Sequence, residues 1–166
     1  MADAYIALGG NVGDVRATFR QAIPALCGIA NATLLARSAD YRTPPWGIAA
    51  QADFINACIV IETALPPHDL LAAMQAVERR FGRDRAHEIR NGPRTLDLDL
   101  LACGDVVLAT PSLTLPHPRL AERAFVLMPL ADIAPDLIVA GMRVRDALAR
   151  LSTSGIVRLP PLPDAI

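Results

Sequence analysis

Arg90-Asn91-Gly92-Pro93-Arg94-Thr95-Leu96-Asp97-Leu98-Asp99-Leu100-Leu101 joins a Gly-Pro turn flanked by arginines to a run of alternating polar and apolar side chains. Successive side chains of a strand point to opposite faces, so Leu96, Leu98 and Leu100 look one way and Thr95, Asp97 and Asp99 the other. Carboxylates two strand positions apart lie roughly 6.5–7 Å from each other at their Cα atoms, near enough to reach one cation or a pair of them. Alternation alone equally describes a strand with one buried and one solvated face. Arg94 beside the acids, with Arg90, Arg85 and Arg83 upstream, favours a polyphosphate held between metal and guanidinium groups.

Before this stretch the chain alternates strand and helix signals. Tyr5 to Leu8 reads as a short buried strand ended by a Gly-rich turn that lacks the Gly-x-Gly-x-x-Gly spacing of a dinucleotide loop. Asp14 is a good N-cap for a helix carrying Val15, Phe19, Ala22, Ile23 and Leu26 on one stripe, with Gly28 suited to its end. Thr33 to Tyr41 is a second strand. Pro44 and Pro45 then make Thr43 to Asp53 an exposed loop holding the only tryptophan, Trp46, a packing anchor or a cover for a planar ligand. Phe54 to Glu62 is the clearest strand, with Ile55, Ala57, Ile59 and Ile61 on one face and Phe54 and Asn56 on the other. Asparagine is disfavoured in strands, and its amide can donate and accept together, as the edge of a heterocyclic ring demands.

Pro66-Pro67 opens a helix with Leu70, Met74, Val77 and Phe81 as its core stripe, ended by Gly82. Gln75 and Glu78 share a flanking stripe. Residues 83–93 form a long charged loop, a type often functional in compact domains. After the acid strand, Gly104-Asp105 turns into Val106 to Leu108 as a hairpin partner. Short helices follow at Val126 to Ala131 and around Val144 to Leu151, and the tail from Leu159 is Pro-rich.

The order strand, helix, strand, strand, helix, strand is that of an α+β ferredoxin-like βαββαβ sandwich, followed by a C-terminal hairpin and short helices. Right-handed crossovers place both long helices on one face of an antiparallel sheet and the first strand between those carrying Asn56 and Asp97. By parity Phe54, Asn56, Asp97 and Asp99 share the opposite, open face, a site for a ligand.

At 166 residues the chain is expected to form one domain spanning 1–166. A hydrophobic content of 52% at a net charge of -1 excludes disorder and gives no reason to expect nucleic acid. All 16 basic residues are arginine, which excludes a P-loop lysine, a protein-kinase lysine and a Schiff-base lysine. Cys27, Cys58 and Cys103 show neither a disulfide framework nor a zinc spacing, and they suit a reducing compartment. Without a signal peptide or a membrane-length apolar run, a cytoplasmic monomer with no membrane partner is expected.

These blocks resemble the 6-hydroxymethyl-7,8-dihydropterin pyrophosphokinase family of folate biosynthesis. The likeness runs through Gly9-Gly10-Asn11, Tyr41-Arg42-Thr43-Pro44-Pro45, Phe54-Ile55-Asn56, Gly92 to Asp99, Leu115-Pro116-His117 and Arg123-Ala124-Phe125. It implies pyrophosphoryl transfer from ATP to the hydroxymethyl oxygen of the pterin, with AMP leaving. It implies that Asp97 and Asp99 hold two Mg²⁺ ions and act in catalysis with Arg85 and Arg94. The pterin would lie between Phe54 and Phe125, with Asn56 and the Thr43, Pro44, Pro45 and Trp46 segment around it. Gln75, Glu78, Arg85, Arg90, Arg94, Leu100, Thr114, His117 and Arg123 match the ATP side. Asn91 replaces a tryptophan of some members, Ser112 replaces an arginine, and the arginine loop is one residue longer. Two rival readings are a two-metal nuclease or phosphatase, and a non-catalytic ligand sensor on the same fold.

Overall fold

The computed structural model describes residues 1–45, 50–90 and 92–163. Its elements are β1 (Ala2–Gly10), α1 (Val15–Ile29), β2 (Thr33–Arg37), β3 (Tyr41–Thr43), β4 (Phe54–Thr63), α2 (Pro67–Arg80) and β5 (Asp97–Cys103), then β6 (Leu108–Ala109), β7 (Thr114–Leu115), α3 (Ala124–Ile133), β8 (Ile138–Val139), β9 (Met142–Arg143), α4 (Val144–Ala149) and β10 (Val157–Arg158). The main sheet runs β10-β3-β4-β1-β5 with β2 also on β4, and each pairing is antiparallel. The expected ferredoxin-like order is therefore present, and β1 lies between the strands of Asn56 and Asp97. No helix among the described residues is long and apolar enough to cross a membrane.

One face carries α1 and α2. Asp14 caps α1 by accepting from the Ala17 amide, and Val15, Phe19, Ala22, Ile23 and Leu26 are all buried. They meet Leu70, Met74 and Val77 of α2 over Ile6, Leu8, Ile59, Ile61, Leu98 and Leu100 of the sheet. Such burial removes apolar surface from water, worth about 1.5–3 kcal/mol for each large side chain.

The other face is not bare along its whole length. Val126, Leu127 and Leu130 of α3, with Val144 and Ala147 of α4, cover Ala7, Cys58 and Leu101. Asp132 of α3 ties the layer down, accepting from the Tyr41 hydroxyl at 2.8 Å and the Ala39 amide at 3.2 Å. Toward Gly9 this face borders a cavity.

Local departures from the sequence reading have physical causes. Helix α1 runs through Gly28 to Ile29, and Asn31 rather than Gly28 takes the positive φ, a conformation asparagine tolerates. The strand expected from Thr33 to Tyr41 is two strands. Between them the Ser38 amide still donates to the Cys58 carbonyl, but the Ser38 hydroxyl accepts from the Cys58 amide and buried Asp40 accepts from Arg16 and Arg37, so side chains take over part of the ladder. Thr43 ends β3 and is buried, not part of an exposed loop. The β5 register shifts opposite Tyr5 and Ile6, which reverses the parity beyond Leu101 and puts Cys103 on the same helix-covered face as Leu100. Leu108 pairs with Leu115 of β7 and not with β5, so the expected hairpin lies one segment later.

Candidate active site

Strand register builds the site. Gly9 of β1 faces Asn56 on one side and Asp97 on the other, and one row along Ala7 faces Cys58 and Asp99. Asn56 continues the first row to Tyr41 of β3, and Phe54 pairs with Thr43. Asn56 and Asp97 thus stand two strand spacings apart, about 9.5 Å at the backbone. Gly9 keeps the floor between them low: a Cβ there would come within 3.0 Å of Asn56 Oδ1.

Above this floor lies a cavity of about 460 Å³. Of the residues singled out in the sequence, it brings together Thr43, Pro44, Pro45, Phe54, Asn56, Arg94, Asp97, Asp99, Arg123 and Phe125. Asn56 Nδ2 donates to Thr43 Oγ1 at 2.9 Å, which fixes the amide and leaves Oδ1 on the Gly9 side. The Arg123 guanidinium carbon lies 5.8 Å from the Phe125 ring centre, a cation–π distance that links the aromatic wall to the cationic one. Trp46 and Asn91 lie outside the described residues.

The acidic end is dominated by a buried ion cluster. Arg83 Nη1 donates to Asp97 Oδ1 at 2.6 Å and to Glu78 Oε2 at 2.5 Å, while Nε and Nη2 engage Glu88. Arg94 Nη1 donates to Asp97 Oδ2 at 3.2 Å. Glu78, 1% exposed, also accepts from Arg85 Nη2 at 2.7 Å and the Leu98 amide at 2.9 Å. The residue expected on the flanking stripe of the helix is thus an internal anchor joining α2, the arginine loop and β5. Burial alone would lower the Arg83 pKa, but Glu88, Asp97 and Glu78 raise it above its ordinary value.

Asp99 is different. Desolvation first, and then the Asp97 charge, push its carboxyl up to about 7, against smaller lowering by Arg123 and Arg83. A second carboxylate that resists ionising beside the first is a place where a cation would relieve repulsion. Among the described residues no group of three or more His, Cys, Asp or Glu could hold a metal by itself. Two carboxylates nevertheless suit Mg²⁺, which is bound by one or two of them together with substrate phosphates and water.

Two arginines bring donors to the same cavity. Arg94 Nε and Arg123 Nε are buried without a hydrogen-bond partner on two residues that line the cavity, with Glu88 Oε1 4.0 Å from Arg94 Nε, so both nitrogens keep a hydrogen to donate. His117 Nδ1 accepts from the Arg119 amide at 3.2 Å, and burial, with Arg123 beside it, lowers the His117 pKa. The neutral ring therefore carries its proton on Nε2 as a donor.

Gln75, Glu78, Arg85, Arg90, Leu100, Thr114 and His117 do not line the cavity. The Leu100 side chain packs in the core under α1 and α2, leaving its backbone for any nucleotide contact. Sequence reasoning assigned no site role to Gly9, Arg119, Glu122, Ser152, Ser154 or Ile156, which line the cavity, and none individually to Arg83. Arg83 had a signal, an arginine just past the Gly82 helix end with acids at 78, 88 and 97. Ser152 to Ile156 had none, being more than fifty residues from the acid pair.

The family model described as 7,8-dihydro-6-hydroxymethylpterin-pyrophosphokinase matches residues 5–135. A Methylorubrum extorquens protein named 2-amino-4-hydroxy-6-hydroxymethyldihydropteridine pyrophosphokinase is 48% identical over 159 residues, 96% of this chain and 99% of its own. One of the same name from Pseudomonas aeruginosa is 43% identical over 157 residues, 94% of this chain and 96% of its own. Among solved structures, wild-type Plasmodium falciparum HPPK-DHPS with pteroate superposes with a TM-score of 0.70 at 13% identity, over 90% of this chain and 42% of that one. This chain spans less than half of that protein, and the likeness speaks for the fold alone.

Proposed function

Because the chain belongs to the 7,8-dihydro-6-hydroxymethylpterin-pyrophosphokinase family, we propose how its residues divide the transfer of pyrophosphate from ATP to hydroxymethyldihydropterin in folate biosynthesis. The observation that carries the division is that one cavity joins an aromatic pair and a fixed amide to two carboxylates and two arginines with unpartnered nitrogens.

The pterin lies between Phe54 and Phe125. Asn56, oriented by Thr43, reads its edge, and Pro44 and Pro45 complete that side. The triphosphate lies toward Asp97 and Asp99, where Arg94 and Arg123 supply charge-assisted hydrogen bonds and His117 a neutral donor. Gln75, Arg85, Arg90, Leu100 and Thr114 extend the nucleotide side, and Glu78 holds Arg85 and Arg83 in place. Two Mg²⁺ ions bound by Asp97 and Asp99 would supply charge neutralisation along the polyphosphate.

The acceptor hydroxymethyl oxygen loses its proton to water and forms a bond to the β-phosphorus while the bond from that phosphorus to the α–β bridging oxygen breaks, its electron pair leaving with AMP. Phosphoryl-type transfer depends on positioning and charge stabilisation more than on a protein nucleophile. Aromatic walls hold the acceptor, and the arginines hold the donor in line and oppose the charge that develops on the leaving oxygen. Arg94, now on Asp97, can exchange that carboxylate for phosphate when the nucleotide enters, while buried Arg83 keeps Asp97 in place.

Supplying ATP, Mg²⁺ and hydroxymethyldihydropterin and identifying the nucleotide product tests the proposal. AMP formed in step with acceptor supports it. ADP would mean transfer of one phosphoryl group, acceptor-independent phosphate release a hydrolase, and binding without turnover a sensor.

A further inference from the structure

The cavity has a wall that no motif announces. Ser152, Ser154 and Ile156 line it together with Pro44 and Asn56. They lie between α4 and β10, beyond residue 135 where the family model's match ends.

The segment is tied down firmly. Val157 and Arg158 of β10 pair with Arg42 and Tyr41, which adds a strand to the edge that carries Thr43. Beyond it the Leu159 amide donates to the Asp40 carbonyl at 2.9 Å. Arg16 Nε donates to buried Asp40 at 2.8 Å while its Nη2 donates to the Pro160 carbonyl at 2.6 Å, and Arg20 reaches the Pro163 carbonyl at 3.2 Å. Helix α1 thereby straps the tail to β3.

Between these cavity-lining residues the strap packs closely against the site wall at Gly155. Gly155 has a φ of +82°, and a Cβ on it would lie 3.0 Å from Pro44 Cγ. Pro44 follows Thr43, whose hydroxyl accepts from Asn56. Glycine thus meets both a backbone need and a close approach against the neighbour of the residue that orients the amide.

We propose that the segment from Ser152 to Ile156 is a positioning element for the acceptor: Gly155 sets the Thr43–Pro44 wall and the Thr43–Asn56 hydrogen bond, and Ser154 presents a hydroxyl to the acceptor. Its uncharged hydroxyls and one apolar side chain suit a neutral heterocycle and have little to offer a polyphosphate. The inference rests on the acceptor pocket assigned above to Phe54, Asn56 and Phe125.

Calorimetry on the full chain with Gly155→Ala, Ser154→Ala and Asn56→Ala, titrating hydroxymethyldihydropterin and ATP separately, tests it. Gly155→Ala is expected to weaken the pterin about fivefold or more, with ATP affinity within about twofold of the parent, and to raise the pterin KM more than it lowers kcat. Should Gly155→Ala fail to fold, Ser154→Ala carries the test, with an expected pterin loss of about threefold. Equal loss for both ligands, or no loss for the pterin, overturns the proposal. Asn56→Ala separates two failures: if it alone weakens the pterin, only the strap inference falls; if it too leaves the pterin unchanged, the pocket is misplaced and the inference falls with it.

Discussion

Arg83 clasps Asp97 from inside the protein: a guanidinium 4% exposed donates at 2.6 Å to a carboxylate oxygen at the mouth of the cavity. Arg94 occupies the other oxygen at 3.2 Å. The acid with the clearest sequence signal is therefore also the outer member of a buried charge cluster, and its removal has two consequences.

Asp97→Ala should lower AMP formation at least about 100-fold, as expected for loss of a group that organises transition-state charge. The fold should survive, because Glu78 and Glu88 still neutralise Arg83, with a stability loss of about 1–3 kcal/mol in urea. Near-normal turnover at ordinary Mg²⁺ would remove Asp97 from the reaction.

Glu78→Ala is predicted to damage the fold more than Asp97→Ala. It removes the acceptor of Arg83, Arg85 and the Leu98 amide at once, and breaking a buried pair costs about 3–5 kcal/mol. For a chain of this size that lowers the thermal midpoint by about 10 °C. A calorimetric scan with an unchanged midpoint would show that Glu78 is not the anchor.

Asp99 predicts a pH dependence of opposite sign to the usual carboxylate. Its folded-state pKa is raised from 3.8 to about 7 by burial and by Asp97, within reach of Arg123, Glu78 and Arg83. The folded state therefore holds a proton that the unfolded chain has lost, and the stability gained is full below 3.8 and disappears as pH rises through about 7. Melting of the ligand-free protein followed across that window should show a declining contribution that Asp99→Asn abolishes. A variant retaining the parent's slope would assign the titration elsewhere.

Asn56→Ala should weaken pterin binding by about tenfold, the worth of one buried hydrogen bond lost from an oriented amide. Nucleotide affinity should hardly change, since Asn56 and Asp97 lie on opposite sides of Gly9. Titration calorimetry giving the reverse pattern would exchange the two ends of the cavity.

How much of this was written in the chain differs from part to part. Local periodicity marked α1, α2, β4 and β5, and strand parity put Asn56 and Asp97 on one face, because side-chain direction along a strand depends only on counting. The break at Ser38–Asp40 was invisible, since it rests on Arg16 and Cys58 arriving from elsewhere. Glu78 was marked only by its flanking stripe and by resemblance to the nucleotide side; its part as a buried anchor exists only once Arg83 folds back over it.

The alternating acids, the turn ahead of them and the absence of lysine were decided by the sequence alone, as was the choice of a fold in which β1 separates an amide strand from an acid strand. Tertiary structure alone decided that Arg83 and Arg94 sit on Asp97, that desolvation divides Asp97 from Asp99, and that the tail supplies a wall against Pro44. Periodicity is a property of neighbours along the chain, whereas burial and charge pairing depend on residues far apart in sequence that meet only when the layers close.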